Sequence, residues 1–333
     1  MQWLSRKKLL LILIPILFIV FFLSLPRILT WSLQYEQQQA VSKMTQEFPV
    51  TVDPKREIIS ENEQVNAFLA DEHSLFGASV ASVGGVIQDI FVWLATSLAD
   101  LPWYQNLANV TERFVTITPG MRKEQVATAF AKTLGWTSKQ KQKFLTPLTG
   151  ASLPLTEGSF APGLYAVAKG MAPEDAQKLV NERFSADVLA HYSTSTQAVV
   201  PLNEALTIAS LIQRETITTD GMRLLSGIMW NRIFADMNLQ VDATLQYAKA
   251  NNKSVSNWWP TVYPRDKYIK SPYNTYQNSG LPPAPIANPS VASILAALNP
   301  IKTDCLFYFN DKKGNFHCSK TYAEHKKQID KYY

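Results

Sequence analysis

Hydrophobic positions divide this chain unevenly. Leu9 to Leu25 is an almost unbroken apolar run without a charge, preceded by Arg6, Lys7 and Lys8 and bracketed by Trp3 and Trp31. At ~1.5 Å per residue such a helix just crosses a ~30 Å hydrocarbon core, and the leading cations hold the N-terminus in the cytoplasm. A cleavable signal peptide is the rival reading, but Leu25-Pro26-Arg27-Ile28 offers no small-x-small cleavage pattern. A second apolar stretch, Val86 to Leu98, contains Gln88 and Asp89 and stops at Asp100-Leu101-Pro102. It is too short and too polar for a span, and reads as an amphipathic helix that packs on the protein or lies on the membrane surface.

Between and beyond these, Leu33 to Phe48 is Gln-rich and polar, a helical stalk, while Val50 to about Val110 shows no assignable pattern. From Phe114 the pattern sharpens. Val115-Thr116-Ile117 alternates like a strand, Thr118-Pro119-Gly120 turns, and Val126, Phe130 and Leu134 mark a helix face. The chain reads as helical from Leu202, with Asp220 as N-cap of a helix running to Phe234. Lys249 to Lys270 is a polar, Trp- and Tyr-bearing loop or lid, Ser290 to Leu298 a helix, and the C-terminus a hairpin. The class is α+β.

Two stretches carry candidate chemistry. In Thr207-Ile208-Ala209-Ser210-Leu211-Ile212-Gln213-Arg214-Glu215-Thr216, a helix sets Glu215 on the stripe of Ile208, Leu211 and Ile212. A carboxyl against apolar side chains has its pKa raised by desolvation and can act as a general acid near neutrality. The bland alternative is a buried ion pair with Arg223 or Arg232. The second stretch runs from Tyr273-Asn274-Thr275-Tyr276 to Gly280-Leu281-Pro282-Pro283-Ala284-Pro285-Ile286-Ala287-Asn288-Pro289. Proline makes it rigid and non-helical, and its aromatic surface suits sugar rings, although an ordinary stiffened connection has the same composition.

Composition adds bounds. The net charge of +5 is modest and Arg6, Lys7 and Lys8 supply three of those charges, so there is no nucleic-acid footprint. A Gly-rich phosphate loop, a zinc-ligand spacing and an internal repeat are absent from the sequence, and neither a metal nor a cofactor is expected. Cys305 and Cys318 flank a hairpin with Asp311-Lys312-Lys313-Gly314 at its tip, which sets them nearly opposite each other. In an exterior compartment they can form a disulfide contributing on the order of 3 kcal/mol; two buried free thiols are the alternative.

Together the two stretches resemble the YceG-like family of endolytic murein transglycosylases, whose catalytic domain carries an A-S-(hydrophobic)₂-E-x-E-T helix and a Y-N-T-Y…G-L-P-P-x-P-I-x-x-P loop. Glu157-Gly158-Ser159-Phe160-Ala161-Pro162-Gly163-Leu164-Tyr165 resembles its E-G-x-x-x-P-D-T-Y segment, and Trp230-Asn231-Arg232-Ile233 its (hydrophobic)-N-R-L. Asp242-Ala243-Thr244 is similar to D-P-T, and Leu306-Phe307-Tyr308-Phe309 to its L-Y-F hairpin. The chain departs from the pattern at Gln213, where the family has the first Glu of E-x-E, and at Gly163, where it has Asp. The strand–turn–helix from Phe114 resembles the small LysM-like βα element that precedes the family's catalytic domain.

The resemblance implies an architecture of cytoplasmic tip and transmembrane anchor (1–31), stalk and unassigned helical region (32–110), LysM-like element (111–150) and mixed α+β YceG-like catalytic domain (151–333). It implies a single-pass protein of the cytoplasmic membrane whose catalytic domain lies outside and meets peptidoglycan glycan strands, with peptidoglycan synthases as further partners. Glu215 is then the acid and base that cuts the MurNAc–GlcNAc β-1,4 bond to leave 1,6-anhydro-MurNAc ends. Gln213, Asn231, Asp242, Tyr273, Asn274 and Tyr276 are the candidates for positioning the sugars, and a carboxylate at position 213 would raise the pKa of Glu215. Two other classes stay open. A two-carboxylate muramidase would use Asp242 opposite Glu215. A non-catalytic peptidoglycan-binding scaffold is made plausible by Gln213 and Gly163.

Overall fold

The computed structural model describes residues 6–42, 47–67, 69, 85–99, 101, 103–105, 112–146, 155–216, 218–251 and 257–332. The fold mixes helices with short two-stranded antiparallel sheets. Its first element, α1, is one helix from Arg6 to Ser42 that merges the expected anchor with most of the expected stalk. Its Leu13–Leu33 portion is long and apolar enough to cross a membrane. A small sheet of β1 (Val52–Asp53) and β2 (Ile58–Ile59) follows. Helix α2 (Gly85–Ala99) is the short apolar helix read from Val86 to Leu98, and it packs on α1.

The small lobe begins with β3 (Glu112–Ile117), α3 (Lys123–Leu134) and α4 (Ser138–Leu145). Gly135 ends α3 in a left-handed conformation at φ 67°, which a glycine adopts without strain. Thr137 and Gln140 cap α4 reciprocally. The lobe closes with β4 (Gly163–Ala168), paired antiparallel along all of β3, and α5 (Pro173–Asp187). Val115, Ile117, Val126, Phe130, Phe144, Phe160, Tyr165 and Val180 share one core. The division expected at 150/151 therefore falls inside a packed unit, because the partner strand of β3 lies beyond it.

A short helix α6 (Thr194–Val199) leads into the large lobe of α7 (Leu202–Glu215), α8 (Thr219–Phe234), α9 (Asp242–Ala250) and α10 (Val291–Leu298). Its core gathers Ile208, Leu211, Ile212, Leu225, Trp230 and Leu298. Asp220 lies within the first turn of α8, whose N-cap is Thr218, so the expected cap is corrected by two residues. Ser290 caps α10, accepting the Ser293 N–H at 3.2 Å. The hairpin of β5 (Phe307–Asn310) and β6 (Phe316–Ser319) is as expected, and a helix α11 (Tyr322–Tyr332) follows that the sequence reading left out. Cys305 and Cys318 are disulfide-bonded across the hairpin base with Cα atoms 5.8 Å apart.

The lobes are joined through Asn288, which is fully buried in the Pro282–Ser290 loop. Its Oδ1 accepts the N–H groups of Gly158 and Phe160, both at 3.0 Å. Its Nδ2 donates to the Met121 carbonyl at 2.8 Å, and its backbone pairs with Gly120 and Met121. Gly158 is in the left-handed region at φ 93°, where an added Cβ would stand 2.7 Å from Pro285. Only glycine lets the two segments approach this closely.

Asn288→Ala strands two buried N–H groups at the junction. Urea unfolding of the full chain should show a loss of about 2–4 kcal/mol with an unchanged m value; a loss below ~1 kcal/mol would mean water replaces the amide.

Candidate active site

Helix α7 is amphipathic, with Ile208, Leu211 and Ile212 wholly buried, and it ends at Glu215. Thr216 turns extended at φ −149°, its N–H closing the last turn on Ile212. The carboxyl is therefore held at the negative end of a helix dipole, a poor place for an anion. Opposite it stands the first turn of α9, and the Ala243 backbone N–H donates to the carboxylate. The Tyr308 hydroxyl of β5 makes a long contact to Oε2 at 3.4 Å.

These surroundings push the Glu215 pKa up to about 7. Burial is the main cause and the charge of Asp242 the second; the Ala243 N–H, the Tyr308 hydroxyl and Arg214 oppose them. Tyr308 itself is raised well above its ordinary range by burial and by Glu215, so it stays protonated and donates. The ion pair considered from sequence does not form. Arg232 donates to the carbonyls of Leu306, Asn238 and Leu239, and Arg223 to the Asn299 carbonyl and Asn66 Oδ1. Both guanidinium groups are taken up by carbonyls and side-chain amides, leaving Glu215 to the Ala243 N–H and the Tyr308 hydroxyl.

The Tyr273–Tyr276 segment divides its work between building and presenting. Asn274 is fully buried, donating to the carbonyls of Lys267 and Ile269 at 3.1 and 2.8 Å. Thr275 accepts the Val241 N–H at 3.0 Å and exchanges a 2.9 Å bond with Thr244, which docks the segment onto α9. Tyr276 is thereby presented to Asp242, donating to Oδ1 at 2.6 Å. Tyr273 rests on Tyr247 with ring centroids 4.7 Å apart.

Of the sequence candidates, the structure brings Glu215, Asp242 and Tyr276 together, and Tyr273 lines the same loop. Three others have their polar groups engaged in the fold. Gln213 Oε1 accepts the Ser290 N–H at 3.0 Å and its hydroxyl at 2.7 Å. Asn231 donates to the carbonyls of Thr303 and Cys305 at 2.7 and 3.2 Å. Asn274 holds its own loop. Tyr308 and the Ala243 N–H were not selected from sequence as site groups. Tyr308 lies in the Leu306–Phe309 motif, but its meeting with Glu215 spans a sequence separation that no local pattern shows.

Residues 252–256 of the expected lid lie outside the described residues, and its Trp258–Trp259 part is built as a strut. Trp259 stacks under Arg214 with the guanidinium 3.9 Å from the ring, and its Nε1 donates to Gln125 Oε1 of the small lobe at 3.2 Å. Trp258 faces the buried Arg122, which also lies 4.0 Å over Tyr247. Gly163, the second departure, makes room for an arginine: an added Cβ would lie 2.3 Å from Arg183 Cζ. Arg183 pairs with Asp187 at 3.1 Å and donates to the Leu164 carbonyl.

Comparisons with known proteins bear on the family of the chain. The model of the YceG-like family matches residues 94–331. An endolytic murein transglycosylase of Bacillus subtilis (strain 168) is 31% identical over 239 residues, covering 66% of this chain and 64% of the relative. Endolytic murein transglycosylases of Streptococcus pneumoniae, from strains D39 and R6, are 30% identical over 178 residues, or 52% of this chain and 31% of theirs. The chain thus matches less than two thirds of the length of these relatives. A crystal structure of a yceG-like protein from Listeria monocytogenes superimposes with a TM-score of 0.56 at 25% identity, over 68% of this chain and 81% of that one.

Asp242→Asn keeps an acceptor for Tyr276 but removes the charge beside Glu215. Titration of the Glu215 carboxyl by ¹³C NMR should place its pKa below about 7, towards the ordinary carboxylate range. An unmoved pKa would assign the shift to burial alone.

Proposed function

This chain belongs to the YceG-like family, and from that premise we propose that it is a membrane-anchored endolytic murein transglycosylase. Helix α1 is the anchor, the N-terminus is cytoplasmic, and both lobes lie outside the membrane, where peptidoglycan is found. The Cys305–Cys318 bond supports that side, since disulfides persist in oxidising compartments. The order β3, α3, α4, β4 supports a LysM-like reading of the small lobe as a glycan-positioning module.

The observation that carries the proposal is a buried carboxyl with a pKa of about 7 at the meeting of two helix ends, flanked by Asp242, Tyr276 and Tyr308. Near neutrality both of its protonation states are populated, as an acid that later serves as base requires. Glu215 gives its proton to the glycosidic oxygen leaving C1 of N-acetylmuramic acid. The C6 hydroxyl oxygen then bonds to C1, and its proton passes to the Glu215 carboxylate, restoring the acid. The C6 hydroxyl is already held beside C1, which lets it compete with water. Asp242 raises the acid's pKa, and its negative charge favours the positive charge that develops at C1.

The coupling between Asp242 and Glu215 also suits a second reading, in which Asp242 activates water and the enzyme is a muramidase. Product chemistry separates the two. Sacculi digested with the protein should yield fragments cut within strands, ending in 1,6-anhydro-muramyl groups lighter by one water than hydrolytic ends. Glu215→Gln should lose at least ~10²-fold in rate while keeping its fold, because the amide has no acid proton to give. Reducing ends throughout would favour the muramidase, and wild-type turnover by a folded Glu215→Gln protein would remove Glu215 from the chemistry.

A further inference from the structure

Helix α2 is uncharged from Ile90 to Ala99 and has two different sides. One is buried: Ala95, Leu98 and Ala99 pack with Leu25 and Leu29 of α1 and with Phe114 of β3. The other is open. Ile90, Trp93 and Ser97 fall on one stripe at helical spacing, Ile90 and Trp93 being 56% and 64% exposed, and Leu101 past the helix end is 38% exposed. The chain then returns to α1: the Tyr104 hydroxyl donates to the Phe22 carbonyl, the two rings meet edge-on with centroids 5.3 Å apart, and neighbouring Trp103 stays 55% exposed. Ile90, Trp93, Leu101 and Trp103 together make an exposed apolar patch of the kind that marks an interaction or membrane surface.

The position of these groups along α1 says what covers them. Phe22 lies inside the apolar run of Leu9 to Leu25. Strands β3 and β4 also rest on α1, and buried Arg113 belongs to the same sheet. A guanidinium and the edges of a two-stranded sheet do not enter hydrocarbon. The bilayer surface therefore crosses α1 near Leu25, and the turn that reaches Phe22 stands about 5 Å below that level. At ~1.5 Å per residue, Ile90–Ala99 covers only about 15 Å and cannot itself span.

We propose that the outward stripe of α2 and the turn carrying Leu101, Trp103 and Tyr104 lie in the headgroup–acyl boundary of the outer leaflet, so that the small lobe rides on the membrane beside its anchor. Trp93 and Trp103 take the place that amphipathic indole rings favour at this boundary. The occupant is a phospholipid surface, continuous with the lipid around α1. The proposal rests on reading α1 as a membrane anchor, and the test separates the two.

Full-length protein is placed in nanodiscs of phosphatidylethanolamine and phosphatidylglycerol, with a nitroxide attached singly through Leu17→Cys, Trp93→Cys, Trp103→Cys or Lys139→Cys. The labels at 17, 93 and 103 should collide readily with oxygen and be shielded from a water-soluble nickel chelate, and the label at 139 should show the reverse. A label at 17 in lipid with 93 and 103 as open to nickel as 139 overturns the proposal but spares the anchor. Nickel access at 17 overturns the anchor reading itself. Dipolar broadening between labels at 93 on separate copies shows that a second chain covers the stripe, which also overturns the lipid assignment. As a second measurement on conservative variants, brominated lipids should quench native tryptophan emission, and Trp93→Phe and Trp103→Phe should each lower the quenched fraction. A quenched fraction in both variants equal to that of the unsubstituted chain would refute the placement.

Discussion

The side-chain amide of Asn288 is the contact on which the junction of the two lobes depends. It uses both polar atoms across the lobe boundary, accepting from Gly158 and Phe160 and donating to Met121. The same loop is gripped from the other side by α7, where Ser210 Oγ accepts the Ile286 N–H at 3.0 Å and Gln213 accepts from Ser290. The helix that ends in Glu215 is thus registered against the small lobe through one proline-stiffened segment, whose backbone has little freedom to lose. A buried network in which the principal groups are satisfied specifies one arrangement more sharply than apolar packing does. The Trp259 contact to Arg214 and Gln125 adds a second tie between the lobes.

Placing a carboxyl in this seam sets function against stability. Glu215 has its pKa pushed up to about 7, and Glu157, buried beside the N-terminus of α3, is pushed up to about 8 by burial and by Glu124. Both are raised in the folded state, so the folded chain holds more protons than the unfolded one above the ordinary carboxylate range. Stability from these groups therefore declines as pH rises from that range to about 7 and about 8. Glu157 is partly compensated, since its Oε1 accepts the Lys123 N–H at 2.8 Å and so caps α3. Glu215 keeps its raised pKa with less compensation, which suits the proposed role of an acid near neutrality.

The two departures from the family's motif have local physical explanations. Gln213 supplies a neutral acceptor to the cap of α10, a task an amide oxygen performs as a carboxylate oxygen would. Gly163, with φ 147°, vacates the volume that the Arg183 guanidinium fills, and Asp187 one turn along α5 provides the carboxylate partner. Both substitutions are absorbed in packing away from the Glu215 carboxyl.

Patterns that act over a few residues were readable directly. The apolar run of α1 and the period of α7, with its carboxylate on the buried stripe, follow from helix geometry. The β3 strand and its turn, the hairpin around Asp311-Lys312-Lys313-Gly314, and the facing cysteines follow from strand and turn chemistry. Long-range pairing was not readable. That β4 completes the sheet of β3, that Arg232 and Arg223 turn to carbonyls instead of Glu215, and that Tyr308 and the Ala243 N–H reach the acid were decided only when distant segments packed. The same holds for Asn231, Asn274 and Gln213, whose residue types suit sugars as well as backbone. A polar side chain carries its hydrogen-bonding capacity in the sequence, but the partner that satisfies it is chosen by the tertiary fold, because burial removes water and makes an unmet donor or acceptor costly.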